Sequence, residues 1–335
     1  MWDGIKDFLG RSFGNAWDLA RAWTGDRLAD ISGNSWKKII LGALVLLALY
    51  YPIGMMVAHR IDDNLDFAYQ SGQQPGGSRA VAVISALIER EVNAHGWVMN
   101  DPFFKPSSLL DNMPNFQQGM FAAFARFAIE LRDQIGRTRG SSTVDRDLND
   151  AAGLLPYPGD VWIFNFSTSL FPTASAEQQY MKAQRALDSY NRRLASGEAV
   201  FDRRSDNLLA TLDRIALDVG ASSAAIDNHI TEFSGDWFDF EADDLFYSIK
   251  GQTYGYAMIL TALREDFAGI IAARDVANIY DQMLASFRAV AALDPLVVTN
   301  NELDDQFIPN HLAAQGFYLL RARTQLREIT NILLK

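Results

Sequence analysis

An acidic, aromatic segment in the second half of the chain contains the residue types most suited to catalysis. Residues 236–244 read DWFDFEADD, in which five carboxylates are interleaved with three aromatic rings. Such a set could hold a sugar between a protonated general acid and an ionised carboxylate. A helical pattern begins at Leu245, however, and acidic residues in the first turn of a helix complement its macrodipole. We therefore interpret the segment as a helix N-terminus and keep a hydrolase acting on glycan or lipid as the alternative.

Other catalytic and metal-binding patterns are incomplete. Asp145, Asp147 and Asn149 match the start of an EF-hand loop, but Asp150 stands where a glycine should turn the chain. Pro156 stands where a glutamate should bind the ion. The four histidines show neither i,i+4 pairing nor an HExxH pattern. There is no cysteine, which excludes disulfides and thiolate nucleophiles. The sequence thus predicts no catalytic residue, no metal site and no cofactor.

A proline-rich segment is the best candidate for binding. Residues 96–115, GWVMNDPFFKPSSLLDNMPN, contain three prolines and three aromatic residues. Trp97, Phe103 and Phe104 offer large apolar area, and the prolines limit the entropy lost on binding. Lys105 adds a cation to an otherwise acidic region. We predict that these four residues contact a partner. The alternative is that the two Phe rings close the end of a helical bundle.

A second segment also interrupts the helical patterns. Residues 153–173, GLLPYPGDVWIFNFSTSLFPT, contain three more prolines. Val161, Ile163 and Asn165 alternate along it as they would in a short strand. Apolar connections of this length either carry function or pack over the core. We predict at most a short strand near residues 160–166 and favour packing over the core.

The distribution of charge limits the classes of partner. The formal net charge is -11, and residues 59–335 carry 24 basic and 36 acidic side chains. Binding of nucleic acid depends on Lys and Arg that neutralise phosphates, so this acidity argues against nucleic acid, and we predict no nucleic-acid partner. The same acidity argues against a domain that lies flat on anionic lipid.

An uncharged run of twenty residues precedes the acidic region. Residues 39–58 read IILGALVLLALYYPIGMMVA. A helix of this length spans about 30 Å, the thickness of the hydrocarbon core. The run begins too late and is too long for an ordinary signal peptide, and Met56-Val57-Ala58 is a poor cleavage site. The sequence therefore predicts one transmembrane helix, with the lipid bilayer as a partner.

The basic residues around this run predict its orientation. Arg21, Arg27, Lys37 and Lys38 precede it, and Arg60 follows it at the head of an acidic stretch. Cytoplasmic flanks carry the excess of Lys and Arg. We expect a bacterial inner-membrane protein of the single-pass type, with a cytoplasmic N-terminus and a periplasmic C-terminal domain.

The segments on both sides of the helix have distinct patterns. Residues 1–38 show apolar residues at three- and four-residue steps and four Trp. That pattern favours an interfacial amphipathic helix, with a short cytoplasmic helix packed on a partner as the alternative. Residues 59–79 are predicted to be a linker, because SGQQPGGSR at 71–79 is rich in Gly, Ser, Gln and Pro.

Residues 80–335 carry seven apolar stripes of helical period, joined by mostly short connections. Such a pattern predicts antiparallel packing in a bundle. Gly251 and Gly255 suggest the close approach of a neighbouring helix. The predicted fold is therefore mainly α: a single N-terminal transmembrane helix followed by a periplasmic multi-helix bundle.

One stretch of sequence carries a family resemblance. It contains GW at 96–97, NDPFFKP at 100–106 and LDNMPNFQ at 110–117. With the late single anchor, this stretch resembles an uncharacterised bacterial family, domain of unknown function 2333. The resemblance implies a bacterial origin and a location in the cell envelope, and it implies no activity. We predict that the bundle is a scaffold or accessory subunit of a cell-envelope complex, bound to another envelope protein and able to form oligomers.

Overall fold

The computed structural model describes residues 35–67, 75–137, 143–164, 171–234, 239 and 241–335. The chain divides into two units, Met1–Met56 and Val57–Lys335. The described residues form ten α-helices and no β-strand, so the predicted mainly α fold is confirmed. Residues 160–164, where a short strand was allowed, form turns and irregular structure. Residues 165 and 166 lie outside the described part.

Helix α1 (Ser35–Ala58) contains the uncharged run. Among the described residues, its stretch Lys37–Ala58 is the one helix that is long and apolar enough to cross a membrane. Its described side chains are exposed or half-buried, whereas the core helix of a soluble protein would bury its apolar face. These properties support membrane anchoring. The amphipathic segment was predicted over residues 1–38. Residues 1–34 of that segment lie outside the part of the chain that the structure describes.

The second unit is a bundle of nine described α-helices. They are α2 (Arg79–Glu89), α3 (Asn112–Glu130), α4 (Arg146–Leu154), α5 (Ala176–Ala195), α6 (Ser205–Phe233), α7 (Ala242–Asp266), α8 (Ala268–Ala273), α9 (Ala277–Ala291) and α10 (His311–Leu333). Turns of π-helix over Arg90–Gly96 and Leu131–Ile135 extend α2 and α3, and Pro106–Leu109 form a 3₁₀ turn. Helix α7 lies at the centre and packs against α2, α3 and α9.

The closest helix packing in the bundle joins α3 to α7. A methyl group added at Gly251 would collide with the backbone carbonyl of Phe116, and one added at Gly119 would collide with the carbonyl of Ser248. A methyl group at Gly255 would press on Met120 and Ala123 at 3.1–3.2 Å. Because glycine has no side chain, the two backbones can approach this closely. The close approach predicted for Gly251 and Gly255 is confirmed.

Helices α3 and α7 are parallel, although the sequence predicted antiparallel neighbours. Gly251 faces Phe116, and Gly255, one turn later, faces Met120, so positions advance in the same direction along both helices. Short connections force consecutive helices to be antiparallel. Helices α4, α5 and α6 separate this pair in the chain, so that constraint does not apply to it.

The proximal end, as we call it, is the end of the bundle at which α3, α7 and α10 begin. Asn115 Nδ2 of α3 donates to Asp244 Oδ1 of α7 at 2.6 Å, and Gln315 Nε2 of α10 donates to the Phe246 carbonyl at 3.0 Å. The segments that lead into α3 and α10, residues 97–111 and 292–310, therefore lie at this end. The opposite, distal end contains the start of α2 and the end of α7.

The chain enters the bundle at the proximal end. The backbone amide of Arg60 lies 3.2 Å from the sulfur of Met113, in the first turn of α3. Ile61, Leu65 and Phe67 pack against the core. Residues 60–67 therefore belong to the folded domain, although they were assigned to the linker over residues 59–79. Residues 68–74 of that linker lie outside the described part of the chain.

Two buried cations hold residues 60–67 against the bundle. The guanidinium of Arg90 donates to the Asp62 carbonyl at 3.0 Å and to the Tyr254 hydroxyl at 2.9 Å. The ammonium of Lys250 pairs with Asp63 Oδ2 at 2.7 Å. Both cations are buried. Arg90 also pairs with Glu91 Oε1 at 2.8 Å, whereas removal of the carboxylates beside Lys250 would leave its charge without compensation.

Candidate interaction surface

A buried Trp fixes the start of the proline-rich segment. Trp97 is 3% exposed, and its indole Nε1 donates to the Gly159 carbonyl at 2.8 Å. Its ring lies edge-on to Phe121 and Tyr180, with centroids 4.8 and 4.9 Å away. The Tyr180 hydroxyl donates to the Tyr157 carbonyl at 2.7 Å. The two proline-rich segments, 96–115 and 153–173, are thereby joined through the core.

Polar contacts also connect the two proline-rich segments closer to the protein surface. Asn100 Nδ2 donates to the Val161 carbonyl at 2.9 Å and to Glu177 Oε2 at 2.8 Å. The carboxylate of Asp101 accepts a hydrogen bond from Ser107 Oγ and pairs with Lys105 Nζ at 2.6 Å. These bonds fix residues 101–107 as a short ordered turn, which limits the entropy that the turn would lose on binding a partner.

Four aromatic rings, which we call the aromatic patch, extend from this turn onto the second segment: Phe103, Phe104, Trp162 and Phe164. Phe103 is 83% exposed and Phe104 is 51% exposed. Ring centroids lie 5.6 Å apart for Phe103 and Phe104, 6.3 Å for Phe104 and Trp162, and 5.2 Å for Trp162 and Phe164. All three pairs are edge-to-face, the geometry that aromatic pairs prefer.

The structure separates the four residues that were predicted to contact a partner. Trp97 belongs to the core, so it positions the surface without being part of it. Phe103 and Phe104 are exposed, so they do not close the end of the bundle. Lys105 is half-exposed and paired with Asp101. Partner binding by Phe103, Phe104 and Lys105 stays a prediction.

Sequence reasoning missed two members of the patch, Trp162 and Phe164. Both lie in the segment 153–173, which was expected to pack over the core. Trp162 is half-buried and Phe164 is exposed. Trp162 contacts Phe104 across more than fifty residues of sequence, and Phe164 contacts Trp162. No local pattern could therefore have joined these two rings to the first segment. The sequence signal that could have identified Trp162 and Phe164 was the high aromatic content of both proline-rich segments, 96–115 and 153–173.

The acidic segment 236–244 provides hydrogen-bond acceptors for the N-terminus of α7. Asp239 Oδ1 accepts hydrogen bonds from the amides of Glu241 and Ala242, at the start of α7, at 3.2 and 3.0 Å. Its other oxygen contacts His229 Nε2 at 2.8 Å and accepts from Asn300 Nδ2 at 2.9 Å. Burial opposes ionisation, but the bonds from Asn300 and His229 prevail and lower the pKa of Asp239. Asp239 therefore links α6, α7 and the segment before α10.

The remaining acids of that segment do not form a described catalytic pair. Glu241 is exposed. Burial and the nearby carboxylate of Asp111 raise the pKa of Asp243, and burial with Asp243 raises that of Asp244. Asp244 also accepts a hydrogen bond from Asn115. Residues 235–238 and 240, which include all three aromatic residues of the acidic segment, lie outside the described part of the chain. The geometry gives the hydrolase interpretation no support.

The carboxylates that resembled an EF-hand have a structural partner. Arg193 of α5 pairs with Asp145 at 2.8 Å and with Asp147 at 2.6 Å. Asp145 also caps α4 by accepting from the amides of Asp147 and Leu148. These contacts join α4 to α5. In the described ranges, no group of three or more His, Asp or Glu side chains is placed to hold a metal ion.

Comparison with protein families agrees with the resemblance of residues 96–117. Residues 38–236 match the family model described as "Uncharacterized protein conserved in bacteria (DUF2333)". The match covers more than half of the chain. The chain belongs to this family. The matched region contains residues 38–58 of α1, Trp97 and all four residues of the aromatic patch. Searches of curated proteins and of solved structures gave no match.

Proposed function

We propose that this protein is a single-pass inner-membrane protein whose periplasmic bundle acts as a scaffold or accessory subunit of a cell-envelope complex. The observation that carries the proposal is the aromatic patch, because its exposed rings stand on a rigid, hydrogen-bonded base. In this proposal the membrane helix holds the bundle at the membrane surface, and the aromatic patch binds another envelope protein.

The composition of the patch favours protein binding. Large aromatic side chains provide most of the energy of many interfaces, and truncating a central one weakens binding by about 2 kcal/mol or more. This corresponds to roughly a 30-fold loss of affinity. Phe103 and Phe104 have the exposure that a partner would cover. Trp97, Asn100 and Asp101 fix the turn beneath them, so little ordering is needed on binding.

Lys105 gives the patch a defined charge at its edge. Its ammonium is half-exposed and pairs with Asp101, so one face of the cation remains available to an acidic group of the partner. Charged groups at the rim of an interface influence orientation and association rate more than affinity. We therefore assign Lys105 a role in orienting the partner and the aromatic rings the larger role in affinity.

The test is co-purification of the full chain from detergent-solubilised membranes. The double variant Phe103→Ser with Phe104→Ser should lose the partner that the wild-type chain retains. A matched control is Phe317→Ser with Leu320→Ser, which removes two exposed apolar side chains from α10. Both variants should melt at the wild-type temperature. Retention of the partner by the patch variant would contradict the proposal, as would equal loss from both variants.

A further inference from the structure

A second group of exposed apolar side chains lies in the segment between α9 and α10. Leu296 is fully exposed and Phe307 is 92% exposed. Val297, Leu303 and Ile308 are exposed as well. Isolated apolar side chains are common on protein surfaces, but clusters of this kind mark contacts with proteins or membranes. We call residues 294–308 the apolar loop.

The apolar loop is ordered by its own hydrogen bonds. The carboxylate of Asp305 accepts from the amides of Phe307 and Ile308 at 2.6 and 2.9 Å. At its base, the amide of His311 donates to the Thr299 carbonyl at 2.9 Å. The backbone that carries Phe307 and Ile308 is therefore fixed, and these side chains are held outward without support from the core.

One buried side chain connects this loop to the segment that follows the membrane-length helix. Lys250 Nζ lies 2.7 Å from Asp63 Oδ2 and 3.6 Å from Asp294 Oδ1. Asp63 follows Ala58, the last residue of α1, by five residues. An extended chain advances at most about 3.5 Å per residue, so Asp63 lies within about 18 Å of Ala58. The base of the apolar loop is thus tied to the part of the bundle closest to the end of α1 in the chain.

We propose that the apolar loop contacts the lipid surface of the membrane that α1 enters, with Leu296, Val297, Phe307 and Ile308 inserted at the interface. The inference rests on the membrane anchoring in the proposed function. Residues 60 and 63, which follow α1 in the chain, are bound at the proximal end, so the chain itself tethers the apolar loop to an anchored α1. Such a tether reduces the entropy that the loop would lose on insertion. Exposed apolar side chains at the level of the headgroups are stabilised by transfer from water.

The charges of the loop define how it binds lipid. Glu302, Asp304 and Asp305 are acidic and exposed, and hydrogen bonds from the Ile308 and Phe307 amides lower the pKa of Asp305. Anionic headgroups would repel these carboxylates, so insertion depends on apolar contact alone. The bundle therefore contacts the membrane through the apolar loop and not through one of its acidic faces.

The absence of cysteine in the chain allows a direct test by single-cysteine labelling. Leu296→Cys and Phe307→Cys place a polarity-sensitive fluorophore on the loop. Leu334→Cys and Val200→Cys place the same probe on exposed apolar positions at the distal end. Leu334 follows the last residue of α10, and Phe201, next to Val200, contacts Phe267 directly after the end of α7. Each full-length variant is reconstituted at one copy per nanodisc in phosphatidylethanolamine and phosphatidylglycerol. Lipids with a quencher on the acyl chain report insertion, and aqueous iodide reports exposure to water.

We expect the lipid quencher to act several-fold more strongly on the two loop probes than on the two distal probes, with the opposite order for iodide. Equal quenching at all four positions would overturn the inference. Loop probes that are shielded in native membranes but exposed to iodide in nanodiscs would also overturn it, because a protein would then cover the loop. Failure of the chain to enter nanodiscs would instead contradict the anchoring in the proposed function.

Discussion

Asp266, the last residue of α7, caps the first turn of α2 by binding the amide of Ala80. The two residues are 186 positions apart in the sequence. The amide of Ala80 donates to Asp266 Oδ2 at 3.0 Å, and the amide of Arg79 donates to Oδ1 at 2.9 Å. Ser78 Oγ donates to the same carboxylate at 2.7 Å. The first amides of a helix have no partner within the helix, and the N-terminus favours negative charge. The bond therefore fixes α2 against the distal end of α7.

The first prediction concerns this cap. Asp266→Ala should lower the free energy of unfolding by about 1–3 kcal/mol, because buried amides at the start of α2 lose a charged acceptor. Urea titration of the full chain in detergent, followed by circular dichroism, measures the loss. Asp304→Ala, at an exposed position, serves as the control and should stay within about 0.5 kcal/mol of wild type. Equal stability of the two variants would show that the cap contributes nothing.

The second prediction concerns the contact between α3 and α7. Gly251→Ala should destabilise the bundle by about 1–3 kcal/mol, because the added methyl group meets the Phe116 backbone, which cannot move aside as a side chain could. Gly153→Ala is the matched control, since Gly153 lies in α4 with open space around it. That substitution should stabilise the chain by about 0.5–1 kcal/mol. Changes of the same sign in both variants would refute the close approach.

The third prediction assigns Asp239 a structural role. Asp239→Asn should lower stability by about 1 kcal/mol, because the charged bonds to His229 and Asn300 are weakened. Glu241→Gln, at an exposed neighbour, should change nothing. Both variants should keep the cellular phenotype of the wild-type gene. Loss of that phenotype in a variant that folds and accumulates normally would instead favour a hydrolase.

The stabilisation by Asp239 has a defined dependence on pH. Its pKa is lowered in the folded state, so the unfolded chain takes up the proton first as pH falls. The difference in stability between wild type and Asp239→Asn should be complete above the ordinary carboxyl pKa of about 4. It should shrink as pH falls through the lowered folded-state pKa. A difference that grows as pH falls in that range would contradict this assignment.

Features set by local sequence were predictable. The uncharged run predicted α1, and Gly251 and Gly255 predicted a close helix contact. Features set by distant contacts were not. Trp97 was predicted to bind a partner because it offers large apolar area in a proline-rich segment, whereas Phe121 and Tyr180, which bury it, lie in α3 and α5. Burial of a side chain by residues remote in sequence leaves no periodic signal.

The buried cation of α7 shows the same limit. A single Lys in a long helix is typical of a solvated face, yet Lys250 is fully buried. It is tolerated because Asp63 neutralises it, and Asp63 lies within residues 59–79, which were predicted to be a linker. Likewise, the aromatic patch forms because Asn100 joins two segments that each looked irregular. Single-sequence patterns described the elements, and contacts between segments defined the surface.

The fourth prediction concerns topology. A phosphatase reporter that is active only outside the cytoplasm should be inactive when fused after Lys38 and active when fused after Arg79. The reason is the excess of basic residues before α1, which cytoplasmic flanks retain. Lys37→Gln with Lys38→Gln should reduce the reporter signal after Arg79, because the bias becomes smaller. The opposite activity pattern in the two wild-type fusions would reverse the orientation.

The last prediction concerns the ion pairs of Lys250, whose ammonium is buried while the partner carboxylates of Asp63 and Asp294 reach solvent. Lys250→Met replaces a buried cation with an apolar side chain of similar length, and it leaves Asp63 and Asp294, which both reach solvent. Such a replacement is expected to be close to neutral or stabilising. Asp63→Ala with Asp294→Ala should instead lower the free energy of unfolding by about 3–5 kcal/mol, because it leaves the buried ammonium without a counter-charge.

Urea titration of the full chain in detergent compares the two variants, and the triple variant completes the thermodynamic cycle. Lys250→Met should restore most of the stability lost through Asp63→Ala with Asp294→Ala, since no buried charge then remains. If Lys250→Met alone proves the more damaging change, the ion pair with Asp63 contributes more to stability than the burial of the ammonium costs. The attachment of residues 60–67 would then depend on that ion pair, and the order of the two effects predicted from burial would be wrong.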